Sequence, residues 1–100
     1  MIKVKIKYLD NRFSSLLVTG HANSAEYGKD LICAAVSAIV TGGCNALKEL
    51  DKFHIELNEG KASIEALETL SNHDEVVLET IITGLKCVAE ENEKFIKIEQ

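Results

Sequence analysis

The 100-residue chain contains no proline. No helix is therefore forced to break, and no proline-rich linker divides the chain. It also lacks any apolar run long enough to cross a bilayer as a helix. Its first residues, MIKVKIKYLD, alternate charge with hydrophobe. They lack the continuous apolar core of a secretory signal, so a cytoplasmic location is expected. Positive charge is in deficit: 11 Lys and Arg against 16 Asp and Glu, a formal net charge of −5. That argues against a protein whose main task is gripping phosphate backbones. It is compatible with a basic peptide or protein partner. Cysteine is scarce and odd in number. Cys33, Cys44 and Cys87 are widely spaced, which argues against a disulfide framework.

One hundred residues fit a single domain, residues 1–100, with one modest core. Ile2, Val4, Ile6 and Tyr8 alternate with Lys3, Lys5 and Lys7, which predicts a half-buried strand with one lysine face. Asp10-Asn11 is a good turn, and Phe13 to Gly20 reads as a second strand. After a polar stretch, Asp30 to Leu50 has helical length and composition, with Asp30 as the candidate N-cap. Gly42 and Gly43 cost about 1 kcal/mol each inside a helix. The spacing points to close approach of another element, or a slight kink. Phe53, Ile55 and Leu57 alternate, Asn58-Glu59-Gly60 turns the chain, and Ala62, Ile64 and Ala66 continue. A second helix follows, with Asn72 and Glu75 as a capping box and Val77, Ile81, Leu85 and Val88 as its apolar stripe. The segment KFIKIEQ closes the chain as a fifth strand. The order is β-β-α-β-β-α-β. It predicts an α+β fold, a mostly antiparallel or mixed sheet packed with two helices.

The stretch from Gly20 to Ser37, GHANSAEYGKDLICAAVS, holds the candidate chemistry. If Asp30 caps the helix, Cys33 falls in its first turn. The N–H groups there have no intrahelical acceptor, and the helix end carries partial positive charge. Both features favour a thiolate. The same backbone N–H groups, from Cys33 and Ala34, could hold an oxyanion developing on a substrate carbonyl. His21, at the end of the second strand, could take the thiol proton and later protonate a leaving amine. Ala22, Asn23, Ser24 and Gly28 are small or polar residues that let the intervening loop close over a peptide. Ser37 lies at i+4 from Cys33, where it could bond to the thiol, the loop or the helix backbone. Asp30 could orient His21 or serve only as a cap.

These residues resemble a known family. TGHA, a short loop and then GKDLICAAVS at a helix start are similar to the motifs of the ribosomal-processing cysteine proteases (Prp). The resemblance spans the chain. It implies that His21 and Cys33 are the catalytic pair, and that Asp30 and Ser37 occupy the motif's other polar positions. It further implies an endopeptidase that removes the N-terminal extension of large-subunit ribosomal protein twenty-seven during ribosome assembly. The implied partner is that precursor as peptide substrate, with no direct nucleic acid and no membrane. Homodimers are usual in the family.

Rival readings remain. A zinc site would draw on His21, Cys33, Cys44, His54, His73 and Cys87, but no two show the short spacing of structural sites. Neither a metal nor any other cofactor is expected. A redox switch lacks a resolving cysteine, since Cys44 lies about 16 Å from Cys33 along one helix. A non-catalytic ribosome-associated module binding a basic ribosomal protein is the serious alternative. His54 and His73 read as solvent-facing.

Overall fold

The computed structural model describes residues 1–20 and 27–100, with the backbone alone for 27–30. Its elements run β1 (Ile2–Leu9), β2 (Arg12–Thr19), α1 (Tyr27–Asn45), a 3₁₀ turn (Leu50–Lys52), β3 (Phe53–Asn58), β4 (Lys61–Ala66), α2 (Asn72–Glu91) and β5 (Ile96–Glu99). The expected element order and α+β class hold. One five-stranded sheet has the order β3-β4-β2-β1-β5. Three pairings are antiparallel and the fourth, β1 with β5, is parallel, so the sheet is mixed. Its apolar face and the two helices share a single core.

Alternation in β1 works as expected over six residues. Ile2, Val4 and Ile6 are buried in the core, while Lys3, Lys5 and Lys7 face water. Tyr8 departs from the pattern and is exposed. The pairing register with β2 shifts between Lys7 and Tyr8, and that irregularity turns the ring out of the core. Asp10 and Asn11 both take positive φ, 52° and 64°. Such a pair gives the turn twist that matches a two-residue hairpin, and Asn and Asp tolerate it better than most side chains.

Both ends of α1 differ from the expected Asp30–Leu50. The helix begins at Tyr27, so Gly28 and Asp30 lie inside it. A glycine in a first turn costs only about 1 kcal/mol, which tertiary context overrides. At the other end the helix stops at Asn45. The N–H groups of Ala46 and Leu47 bond back to Gly43 and Cys44, and those of Lys48 and Glu49 go to the Asp74 carboxylate at 2.9 and 3.0 Å. With these donors committed to a side chain from α2, the helical ladder cannot continue.

The cap of α2 also moves by one residue. Ser71, not Asn72, is the N-cap, and its hydroxyl accepts from the Asp74 N–H at 3.2 Å. The buried face of α2 is Leu78, Ile81, Ile82 and Leu85, with the expected Val77 and Val88 only half-buried. The close approach expected at Gly42 and Gly43 occurs at Gly43 alone. A Cβ at Gly43 would collide with the Ile81 side chain, while one at Gly42 would meet open space. Gly43 thus lets α1 and α2 cross closely in the core.

Candidate active site

Cys33 is placed by the buried side of α1. Ile32, Val36, Val40 and Cys44 recur every four residues, are all buried, and seat the helix in the shared core. Cys33 stands beside this ridge, half-buried and packed against the core. Ala34 and Ser37 are exposed on the same helix. From Leu31 to Leu47 no residue carries a charge. The thiol therefore sits on a neutral stretch of helix, with small neighbours Ala34 and Ala35.

The observed start of α1 changes one part of the expected chemistry. Cys33 is the seventh residue of the helix, in its second turn, and not the third after a cap at Asp30. Only the first four N–H groups of an α-helix lack an intrahelical acceptor. The N–H groups of Cys33 and Ala34 fall beyond those four, so an oxyanion hole made from them is not supported by the helix geometry. Asp30 is likewise a first-turn residue and not the cap. Its side chain lies outside the described residues, and Gly28 is described by its backbone alone.

His21, Ala22, Asn23 and Ser24 also lie outside the described residues. The residue before them is held on two sides. Gly20 has φ +91°, a conformation that side chains other than glycine rarely adopt. A Cβ there would also collide with the Met1 carbonyl oxygen. Its N–H bonds to the Gly60 carbonyl in the β3–β4 turn at 3.1 Å. Gly20 is thus held between the start of β1 and a neighbouring hairpin, and the chain leaves for His21 from a defined point.

The other two histidines are committed elsewhere. His54 is exposed on β3 with its Nε2 3.3 Å from Glu56 Oε1, alternating with core-facing Phe53. The Nε2 of His73 is 3.0 Å from the Ala46 carbonyl oxygen. Ala46 is thirteen residues beyond Cys33, roughly 20 Å along the helix direction. His73 therefore lies far from the Cys33 thiol, and His54 is exposed on β3 beside core-facing Phe53. The cysteines divide as clearly, and none forms a disulfide. Cys44 is buried, and desolvation pushes its thiol pKa up, which favours the unreactive thiol form. Cys87 is exposed on α2. Among the described residues no group of His, Cys, Asp and Glu gathers where it could hold a metal ion.

One important residue escaped the sequence reading. Asp74 is fully buried, and its carboxylate accepts two backbone N–H groups that join α2 to the end of α1, while its own N–H donates to the Ser71 hydroxyl. Its signal was present in Ser71-x-x-Asp74, the pattern of a capping box.

Comparison with known proteins supplies the class. The family model described as Cysteine protease Prp matches residues 1–97. The ribosomal processing cysteine protease Prp of Staphylococcus aureus is 29% identical over 103 residues, covering 98% of this chain and 97% of that protein. The Bacillus subtilis protein of the same name is 46% identical over 52 residues, 52% of this chain and 46% of its own length. A crystal structure of the S. aureus protease with a substrate peptide matches with a TM-score of 0.86 at 26% identity, covering 99% of this chain and 98% of that one. A thiol on this α+β scaffold, with these relatives, makes the chain a cysteine protease and hence a hydrolase. It belongs to the Prp family of cysteine proteases.

Proposed function

We propose that the chain is an endopeptidase that removes the N-terminal extension of large-subunit ribosomal protein twenty-seven, with Cys33 as nucleophile and His21 as general base. The observation that carries this reading is the contrast among the cysteines and histidines. Cys33 is half-buried on a neutral helix with small neighbours, while Cys44 is buried, and His54 and His73 are engaged elsewhere. His21 is the histidine that remains, and it follows the anchored Gly20.

In the reaction His21 takes the Cys33 proton, and the thiolate attacks the scissile carbonyl. The tetrahedral intermediate collapses to a thioester as His21 gives its proton to the leaving amine. Water, deprotonated by His21, then hydrolyses the thioester and frees the thiol. A covalent enzyme–peptide species is required, and the S. aureus relative has been crystallised with a covalently linked product peptide. Asp30 orients His21, Ser37 supports the thiol from one turn away, and the loop carrying Ala22, Asn23, Ser24 and Gly28 closes over the peptide. The enzyme acts in the cytoplasm as a homodimer, on the precursor and not on nucleic acid. No helix among the described residues is long and apolar enough to cross a membrane.

The test is incubation with the full-length precursor, with the cut mapped by mass spectrometry. Cys33→Ala is expected to abolish cleavage while retaining the wild-type circular dichroism spectrum. His21→Ala should be nearly as damaging. Undiminished cleavage by the Cys33 variant would overturn the mechanism.

A further inference from the structure

The catalytic segment leaves the sheet where β2 ends, at Thr19 and Gly20. A hollow of about 560 Å³ opens at the opposite end, between the β1–β2 turn, the link from β4 to α2, and the first turn of α2. Its volume is within the range of roughly 300–1,000 Å³ typical of ligand sites. Buried Phe13 and Leu70 give it an apolar floor. Leu9 and Leu67 also line it, yet they are 68% and 57% exposed. Two leucines standing in water around one hollow form an apolar mouth of the kind that marks a contact surface. Three carboxylates, from Asp10, Glu68 and Glu75, share the lining with a single cation, Arg12.

We propose that this hollow is a docking site for the body of the substrate polypeptide, remote from the cut. It would take a cationic segment bearing an aliphatic or aromatic side chain. That side chain packs on Phe13 and Leu70 and covers Leu9 and Leu67, while flanking lysine or arginine groups meet the carboxylates. Charge complementarity selects this occupant: the lining is net negative, and the chain as a whole carries −5. Arg12 is placed to hydrogen-bond main-chain carbonyls of the same segment. Strand β2 sets the reach. From Arg12 to Thr19 is seven steps of about 3.3 Å, or roughly 23 Å. That is the distance between the hollow and the point where the chain leaves β2 toward His21.

The inference rests on the peptidase reading, and two substrates separate the fates of the two. Steady-state kinetics are measured on the full-length precursor and on a short peptide spanning only the extension and the cut. The enzymes are wild type, the double variant Glu68→Gln/Glu75→Gln, and Leu67→Ser. Each variant should lower kcat/KM for the precursor relative to the peptide by roughly five- to tenfold at low salt, chiefly through KM. For the double variant that ratio should approach the wild-type value at high salt. Wild-type cleavage of both substrates with an unchanged ratio in the variants overturns the docking site and leaves the peptidase standing. Wild-type cleavage of neither overturns the peptidase and the docking site with it.

Discussion

Replacing Asp74 tests whether the far end of α1 is held as described. Its carboxylate is fully buried and accepts the N–H groups of Lys48 and Glu49 at 2.9 and 3.0 Å. Each is a charge-assisted bond, worth about 1.5–3 kcal/mol net. Asp74→Ala removes both acceptors and strands two donors. Lys48 is exposed and Glu49 half-exposed, so water recovers part of the loss. The expected cost is about 3 kcal/mol, a large share of the roughly 5–15 kcal/mol that stabilises a domain of this kind. At about 4–8 °C per kcal/mol for a domain of this size, the melting temperature should fall by roughly 12–24 °C. Asp74→Asn should cost less, because its carbonyl oxygen still serves one amide. Urea unfolding followed by circular dichroism gives both values from the shift in midpoint at constant slope. A loss under about 1 kcal/mol for Asp74→Ala would refute the claim that this carboxylate terminates α1.

Iodoacetamide at neutral pH should label Cys33 well before Cys44, with site-resolved mass spectrometry as the readout; equal rates at the two sites would deny Cys33 its special reactivity. Gly43→Ala should destabilise the fold by about 1–3 kcal/mol through overpacking against Ile81, whereas Gly42→Ala should be neutral or slightly stabilising, as unfolding curves will show. Burial raises the Cys44 pKa, so the unfolded chain, whose thiol titrates near 9.0, loses this proton at lower pH than the folded chain does. The contribution is intact below that pH and is lost as pH rises through the folded value; wild type should therefore lose more stability than Cys44→Ala on going to alkaline pH.

What was legible in the sequence depended on how local the cause was. The alternation of Ile2, Val4 and Ile6 with lysines needs only the two-residue period of a strand, and it held. Tyr8 broke the pattern because a register shift belongs to a pair of strands, not to one of them. Likewise, nothing between Asn45 and Leu50 announces the end of α1, because the acceptor that takes its donors lies 26 residues from Lys48. The capping shift from Asn72 to Ser71 reflects two good cap residues in a row, where the incoming chain direction decides. In α2, the choice of Leu78 and Ile82 over Val77 and Val88 follows from packing against both the sheet and α1, which widens and rotates the buried face. Cys33 could be assigned to one helix with Cys44 from sequence alone, and the contrast in burial followed. Its depth in the helix could not, since Gly28 reads as loop when its tertiary surroundings are unknown.

The parallel pairing of β1 with β5 joins Ile2 to Ile96, nearly the whole chain apart. Such contacts close the largest possible loop and are won late in folding. During synthesis β1 is made long before β5 and gains its outer neighbour only when β5 follows. Until then β1 presents an open edge, and Ile2 lacks the Phe95 carbonyl that its N–H will bond. Completion of the sheet thus waits on β5, and the scaffold stays unfinished until that strand has been made.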